Sequence, residues 1–225
     1  MTNRKTNKTI IFGIGFFADQ IFRYCMMEGI QVVAFTVEKE YYGAESFHGL
    51  PVIPFEDLEK TYSKDSFSIL ICVSYNNMNQ DREKVFKKIK EKGYTISSFI
   101  HPTATILADS LGEGNIILEN ASIGIGCRIG DGNIFYNNTV ISHDTVIQNY
   151  NFFAPSSTVL GGVKINNGCF FGGNSTIKNY ITIDDYCLVG ANAFVRNSTN
   201  KNEVIVPPKS VSLNAESMYF VDKLM

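Results

Sequence analysis

Residues 130–165 read GDGNIF YNNTVI SHDTVI QNYNFF APSSTV LGGVKI, six consecutive hexads that each end in a bulky apolar residue. The register continues in both directions, so that every sixth residue from Leu111 to Val195 is bulky and apolar. A period of six is neither the 3.6-residue period of a helix nor the two-residue alternation of a strand. It is typical of a triangular solenoid in which three short strands form one coil.

In such a solenoid, residues eighteen apart stack on adjacent coils, and the side chains match at that spacing. One column of large residues consists of Ile117, Phe135, Phe153, Phe171 and Val189. Two positions earlier the residues are mostly small or carry amides: Asn115, Asn133, Asn151, Cys169 and Cys187 in one column, and Ala121, Thr139, Ser157, Ser175 and Ala193 in the next. An antiparallel barrel of short strands, the alternative, does not explain these columns. The sequence therefore predicts a left-handed parallel β-helix of about five coils.

Before Pro102 the pattern changes to alternating strands and helices. Strands are predicted over 9–12, 32–36, 69–73 and 96–100, helices over 18–27 and 79–92, and a short helix from Phe55. Buried strands separated by helices predict a small, Rossmann-like parallel sheet. We therefore expect two domains, an α/β domain over 1–101 and a β-helix acyltransferase domain with a C-terminal extension over 102–225.

Composition excludes several classes of function. The chain of 225 residues carries 20 Lys and Arg against 22 Asp and Glu, and its basic residues cluster only on the helix over 79–92, so we expect no nucleic-acid partner. No segment approaches the ~20 apolar residues of a membrane span, and the N-terminus lacks a signal cleavage site, which predicts a cytoplasmic protein without a membrane partner. The five cysteines lack metal-binding spacing, so we expect reduced thiols and no metal.

The first strand leads into a glycine turn that is a candidate ligand site. The turn comprises Gly13, Ile14, Gly15, Phe16 and Phe17, a G-x-G-x-x-A pattern at a helix start. Ligands bind beyond the carboxyl ends of parallel strands, and free N–H groups at a helix start can hold a phosphate. Because Glu38 follows two residues after the predicted end of the second strand at Thr36, a dinucleotide is disfavoured. A single nucleoside diphosphate is the functional interpretation, and a purely structural turn is the alternative.

Of the three histidines, His143 is the candidate general base. It follows the inward-pointing Ile141 by two residues, which places it at a corner of the prism, pointing outward, with Asp144 beside it. Eighteen residues later Gly161 leaves space beside the imidazole and a backbone N–H for a carbonyl oxygen. A base next to such a niche suits acyl transfer, and Asp144 would orient the imidazole and favour its protonated form. The alternative is a surface histidine without function, and His48 and His101 are expected to be exposed and structural, respectively.

One prism corner cannot enclose a substrate. Such solenoids form sites by packing side by side, and three-fold closure is the natural symmetry of a triangular prism. We expect a homotrimer with three sites at its interfaces.

Both halves of the chain together resemble the sialic acid O-acetyltransferase family of hexapeptide-repeat acyltransferases. The resemblance rests on the order of the domains, the Ile100-His101-Pro102 junction and the hexads SHDTVI and LGGVKI. Its relatives include nucleotide-sugar N-acetyltransferases of the bacillosamine and perosamine type. The resemblance implies that His143 is the base, that Asp144 is the acidic residue following it, and that the Gly161 amide meets the thioester carbonyl of acetyl-CoA.

The same resemblance assigns binding residues. It implies contacts with the pantetheine arm at Gly190 and Ala191, with the nucleotide sugar at the turn Gly13–Phe17, and with sugar hydroxyls at Asn137 and Asn138. By position, Phe152 is a further candidate for acetyl-CoA binding and Thr36 for substrate binding. The chain departs from the family at three places: Phe152 stands where bacillosamine-type enzymes have a second histidine near the thioester, Thr36-Val37-Glu38 replaces an acidic pair after the second strand, and Phe16-Phe17 replaces small polar turn residues.

The leading hypothesis is therefore acetyl-CoA-dependent N-acetylation of a nucleotide-linked amino-deoxy sugar for surface-glycan biosynthesis. Two alternatives stay open at this point. The first is O-acetylation of a sugar hydroxyl, and the second is a non-catalytic trimeric scaffold that binds a sugar nucleotide.

Overall fold

A computed structural model describes residues 8–210 of the chain. The expectations for residues 1–7 and for the C-terminal extension over 211–225 lie outside the described residues. Within residues 8–210, no helix combines the length and the apolar character needed to cross a bilayer.

The first domain is a six-stranded sheet with two helices, as the alternating pattern predicts. Its elements are β1 (Lys8–Phe12), α1 (Phe16–Met27), β2 (Val32–Val37), β3 (Ser46–Phe47), β4 (Leu50–Pro54), β5 (Phe67–Ile71), α2 (Gln80–Glu91) and β6 (Thr95–Ile96), with 3₁₀ turns at Lys39–Tyr41 and Phe55–Lys60. The strand order is β3-β4-β2-β1-β5-β6. All neighbours are parallel except the hairpin of β3 and β4, so the Rossmann-like prediction is confirmed apart from that hairpin.

The bounds of two strands differ slightly from the predicted ones, which changes the residues at the carboxyl edge of this sheet. Strand β2 extends to Val37, so Glu38 follows the strand directly. The Thr36 side chain is fully buried, and its hydroxyl donates a hydrogen bond of 2.7 Å to the carbonyl oxygen of Ile53 on β4. Strand β5 ends at Ile71, earlier than predicted, which leaves residues 72–79 as the loop that leads to α2.

The second domain is a left-handed parallel β-helix of three faces. Face 1 contains strands Phe99–Ile100, Ile116–Ile117, Ile134–Phe135, Phe152–Phe153, Phe170–Phe171, Leu188–Val189 and Val204–Ile205. Face 2 contains Thr105–Ile106, Ser122–Ile123, Val140–Ile141, Thr158–Val159, Thr176–Ile177 and Phe194–Val195. Face 3 contains Ser110–Leu111, Arg128–Ile129, Val146–Ile147, Lys164–Ile165 and Thr182–Ile183. Residues 96–100 are therefore not one strand, because Phe99–Ile100 pairs with Ile116–Ile117 as the first strand of face 1.

The interior of the solenoid follows the predicted columns. The rings of Phe135, Phe153 and Phe171 stack on one another with centroids 4.7 and 4.6 Å apart. Beside them runs a buried amide ladder in which the Asn133 Oδ1 accepts from both the N–H and the Nδ2 of Asn151, and the Asn151 Oδ1 accepts from the Cys169 N–H at 2.8 Å. A buried amide is tolerated only when it is hydrogen-bonded, and this ladder meets that condition on every coil it spans. All five cysteines are buried and unbridged.

The α/β domain packs on face 1 through an apolar contact and one buried cation. The outward side chains of Ile116 and Ile134 on face 1 are completely buried beneath it. Arg82 on α2 is 1 % exposed and donates hydrogen bonds to the carbonyl oxygens of Gly132, Tyr150 and Ser74 at 2.8, 2.8 and 2.6 Å. Burial lowers the pKa of Arg82 to about 9, which still leaves the guanidinium charged at neutral pH. Arg82 thereby ties the loop after β5 to the solenoid.

Candidate active site

His143 lies on the edge between faces 2 and 3, which we call the histidine edge; its turns are residues 142–144, 160–162 and 178–180. The imidazole points outward, as predicted, and its side chain is 52 % exposed. Its Nδ1 lies 2.9 Å from the Asp144 Oδ2. Asp144 has a left-handed backbone with a φ of 56°, which folds its carboxylate back over Gly126 on the preceding coil. Asp144 is thus held beside the imidazole by the shape of the turn.

Gly161 lies against the imidazole from the next coil. A Cβ atom built at Gly161 would lie 2.6 Å from Cε1 and 3.0 Å from Cδ2 of His143, and closer still to Nε2. Only glycine therefore leaves the ring in this position. Within residues 8–210 the Gly161 N–H donates no hydrogen bond, whereas the neighbouring Gly162 N–H donates to the His143 carbonyl oxygen at 2.9 Å. The backbone thus offers one free donor beside Nε2.

This arrangement assigns a role to each ring nitrogen. With an anionic carboxylate beside it, Nδ1 carries the proton and donates to Asp144, so the lone pair is on Nε2. Nε2 is the ring atom nearest the position that a Cβ of Gly161 would take. A base and an amide donor in adjacent turns are the two groups that proton removal and oxyanion stabilisation require.

A second concave site lies at the carboxyl edge of the α/β sheet. A cavity of about 710 Å³ is lined by the whole predicted turn Gly13–Phe17, by Glu38 and Tyr41 after β2, by residues 72–76 after β5, and by Tyr136 on the solenoid. Gly13 has a φ of +125°, and a Cβ there would lie 2.9 Å from the Cys72 carbonyl oxygen, so this turn requires glycine. The turn opens α1 at Phe16, where the first helical N–H groups are free to meet an anion.

The cavity is also lined by charged residues of α2, the helix on which the basic residues of the sequence cluster. Lys84 and Lys88 of α2 line it. Lys88 forms an ion pair with Glu38, and Lys84 lies 3.6 Å from Asp81. The signal that could have located these lysines is their i, i+4 spacing on the helix that follows the carboxyl end of β5. At the rim, Phe16 is 97 % exposed, which is unusual for a phenylalanine in the wall of a cavity.

The remaining candidate residues do not gather around His143. Thr36 is buried within the sheet and does not line the cavity. Phe152 is 4 % exposed on face 1, where it packs against the rings of Tyr75 and Phe170, so the structure does not bring it to the imidazole. Its burial explains the departure from a histidine at this position, because a ring between aromatic neighbours favours an apolar side chain.

Four further candidates lie on the edge between faces 1 and 2, which we call the cavity edge. Asn137 and Asn138 follow the cavity residue Tyr136 there, and Gly190 and Ala191 occupy the turn at residues 190–192, three coils further on. The histidine edge is at the other side of face 2. Within one chain, the cavity and the pair of His143 and Asp144 are therefore on opposite edges of the same face.

The other two histidines have structural contacts. His101 Nδ1 lies 2.9 Å from the Thr103 hydroxyl and accepts from the Thr103 N–H, in agreement with a structural role at the junction. His48 is more enclosed than expected: its ring stacks on Phe22 and its Nε2 lies 2.7 Å from the Asp19 carboxylate.

Comparison with known proteins gives structural neighbours only. No protein-family model matches the chain, and no curated protein sequence matches it. Among solved structures, the acetyltransferase domain of PglB from Neisseria gonorrhoeae is 20 % identical with a TM-score of 0.77, and the match covers 88 % of this chain and 95 % of that one. PerB from Caulobacter crescentus, solved with CoA and GDP-perosamine, is 23 % identical with a TM-score of 0.77, covering 88 % and 92 %. WeeI from Acinetobacter baumannii is 19 % identical with a TM-score of 0.75, covering 89 % and 96 %. The TM-scores show that these proteins share the fold of this chain, and at identities this low the likeness shows the fold alone.

Proposed function

We propose that this protein is an acetyl-CoA-dependent N-acetyltransferase that acts on the amino group of a nucleotide-linked amino-deoxy sugar. The observation that carries the proposal is the contact of the His143 imidazole with Gly161, with Asp144 on one ring nitrogen and a free amide beside the other. Two structural neighbours support it: the PglB structure is that of an acetyltransferase domain, and the PerB structure is a complex with CoA and GDP-perosamine. A cytoplasmic location would give the enzyme access to both substrates, and surface-glycan synthesis would use the product.

The chemistry is a direct transfer in which His143 acts as general base. The thioester carbonyl of acetyl-CoA would accept a hydrogen bond from the Gly161 N–H. As the sugar amine attacks the carbonyl carbon, Nε2 takes the proton that the nitrogen loses, and the negative charge on the carbonyl oxygen is stabilised by the amide donor. Collapse of the tetrahedral intermediate forms the amide and expels the CoA thiolate, to which the imidazolium returns the proton. Asp144 stabilises the imidazolium between these steps.

The cavity at the carboxyl edge of the α/β sheet suits the nucleotide. Its volume of about 710 Å³ lies in the range of ligand sites. The diphosphate would meet the N–H groups at the start of α1 together with Lys84 and Lys88. Glu38, directly after β2, is placed to accept hydrogen bonds from ribose hydroxyls, and the exposed ring of Phe16 offers a face on which a base can stack.

A homotrimer would bring the two half-sites together. The turns of the cavity edge and of the histidine edge are one hexad apart, and face 2 lies between them, which separates them by roughly 20 Å at the rise of an extended chain. A sugar held in the cavity of one chain is too short to span that face. The outward side chains of face 2 carry no charge: Thr105, Ser122, Val140, Thr158, Thr176 and Phe194. On face 3 the equivalent positions include Arg128 and Lys164, so face 2 is the better surface to bury against a neighbour.

The first experiment tests the base. Wild-type protein and His143→Ala are incubated with acetyl-CoA and with GDP-perosamine or a UDP-linked 4-amino-deoxyhexose, and the acetylated sugar is measured by mass spectrometry. The substitution should abolish turnover while acetyl-CoA binding, measured by calorimetry, is retained. Near-normal turnover by His143→Ala would refute the assignment. Transfer to a hydroxyl of a sugar without the amine would favour O-acetylation, and the absence of CoA binding by the wild type would favour the scaffold.

The second experiment tests whether two chains share each site. A Cβ at Gly15 meets nothing within 4 Å, so Gly15→Glu places a carboxylate in the cavity without a steric clash and should repel the diphosphate. Each of His143→Ala and Gly15→Glu should be inactive alone. When the two variants are refolded together in equal amounts, random mixing of their chains should restore about a quarter of wild-type activity. Some sites then combine an intact cavity with an intact histidine from the adjacent chain. A mixture as inactive as its parents would place both halves of the site in one chain.

A further inference from the structure

Tyr180 is an exposed aromatic residue on the histidine edge that the proposed reaction does not yet use. It lies one coil beyond Gly162, and it is 74 % exposed. Its backbone is left-handed with a φ of 58°, a conformation that glycine and asparagine adopt at less cost than tyrosine. Asparagine occupies the equivalent turn position at Asn120, Asn138, Asn174 and Asn192, so the turn itself does not require an aromatic ring.

The Tyr180 ring lies over the same coil as the imidazole. A Cβ at Gly162 would lie 2.5 Å from both Cδ1 and Cε1 of Tyr180, just as a Cβ at Gly161 would overlap the His143 ring. The Tyr180 N–H also donates a hydrogen bond of 3.1 Å to the Gly161 carbonyl oxygen. His143 therefore covers Gly161 from the preceding coil and Tyr180 covers Gly162 from the following one. Because consecutive Cα atoms are about 3.8 Å apart, the two rings cover adjacent residues on the surface of this edge.

We propose that the Tyr180 ring is the wall of the acyl-binding site and restricts the transferred group to acetyl; this rests on the proposed function. With the thioester carbonyl on the Gly161 N–H, the sulfur and the alkyl carbon lie on opposite sides of the carbonyl carbon. The proposed function places the CoA arm along face 2, the uncharged face that the trimer would bury, so the sulfur lies toward Leu160. The alkyl carbon then points the other way, toward Gly162 and the ring of Tyr180. A methyl group fits in front of the ring, and a longer chain must displace it.

The test replaces Tyr180 by asparagine, which suits the left-handed backbone, and by phenylalanine, which keeps the ring. Tyr186→Asn is the matched control, because Tyr186 has the same left-handed backbone, with a φ of 57°, and covers Gly168 in the same way on a different edge. The kcat/KM values for acetyl-, propionyl- and butyryl-CoA are measured for each variant. Tyr180→Asn should raise the butyryl-to-acetyl ratio roughly 10-fold or more, the discrimination that one or two methylene groups provide. Tyr180→Phe and Tyr186→Asn should keep the wild-type ratio.

A loss of stability alone lowers kcat/KM for acetyl-CoA and for butyryl-CoA equally and leaves their ratio unchanged. A changed ratio therefore indicates a change in the acyl-binding site itself. An unchanged ratio in Tyr180→Asn, while the wild type transfers acetyl, would overturn the inference and leave the proposed function intact. Wild-type protein that neither binds nor turns over acetyl-CoA would overturn both.

Discussion

Gly161→Ala adds one methyl group at the point where the proposed mechanism has no room for it. The new Cβ would lie 2.6 Å from Cε1 of His143, while ordinary contact begins near 3.4 Å, so the imidazole must move by roughly 1 Å. Gly161 is outside the left-handed region, so alanine does not strain the backbone. The imidazole is half exposed and can turn into solvent, which limits the loss of unfolding free energy to about 1 kcal/mol or less.

The catalytic loss should be far larger than the loss of stability. Displacement of a reacting group by ~1 Å costs about 100-fold, and the added methyl group would also hinder the thioester carbonyl from reaching the backbone N–H that alanine retains, so we expect kcat/KM to fall by roughly 10² to 10³. The assay follows thiol release from acetyl-CoA in the presence of the amino-sugar nucleotide, with thermal unfolding measured in parallel.

Gly43→Ala is the control for Gly161→Ala. Gly43 is exposed in the loop between β2 and β3, a Cβ there meets nothing within 4 Å, and it does not line the cavity. This variant should retain wild-type activity. If Gly161→Ala were as active as Gly43→Ala at equal stability, the contact of Gly161 with the imidazole would have no part in catalysis and the proposed geometry would be refuted.

Three further predictions concern the groups around the two half-sites. Asp144→Asn should lower kcat roughly 3- to 10-fold, since the exposed pair with His143 gives about 1 kcal/mol at most, and an unchanged kcat would show that Asp144 does not stabilise the imidazolium. Phe16→Ser should weaken nucleoside diphosphate binding, measured by calorimetry, by roughly 10-fold through the loss of base stacking, whereas Met26→Ser, exposed on the same helix but outside the cavity, should not. Arg82→Met should lower the free energy of unfolding by about 3 kcal/mol, because carbonyl oxygens of both domains lose their donor, and urea denaturation with an unchanged midpoint would contradict that account.

The sequence could predict the histidine edge because the repeat generates it. Once the period of eighteen is recognised, the positions of His143 and Gly161 follow from counting, and the amide and phenylalanine columns follow in the same way. The contact of the imidazole with the glycine backbone is a consequence of the spacing between adjacent coils, about 4.8 Å, and needs no information from distant residues.

The ends of the solenoid were harder to predict because its terminal coils are shorter. Phe99 pairs with Ile116 and Thr105 with Ser122, a spacing of seventeen residues, whereas Ser110 pairs with Arg128 at eighteen. At the other end Leu188 pairs with Val204 at sixteen. The loss of one or two residues breaks the register of six, so the periodic run ends at Val195 while the stacked strands continue. For this reason the sequence pattern alone joins the strand Phe99–Ile100 to the α/β sheet that precedes it.

Arg82 and the cavity lysines show the second limit, which is physical. The partners of Arg82 are backbone carbonyl oxygens, which every residue possesses, so no pattern of side chains could identify them. In a sequence Arg82, Lys84 and Lys88 are equivalent basic residues on one amphipathic helix. The packing of α2 on the solenoid buries the first completely and leaves the other two at the cavity. The packing of α2 on the solenoid therefore decides which basic residue is structural and which can bind a phosphate. That packing depends on face 1, whose outward residues are apolar from Ile116 to Leu188.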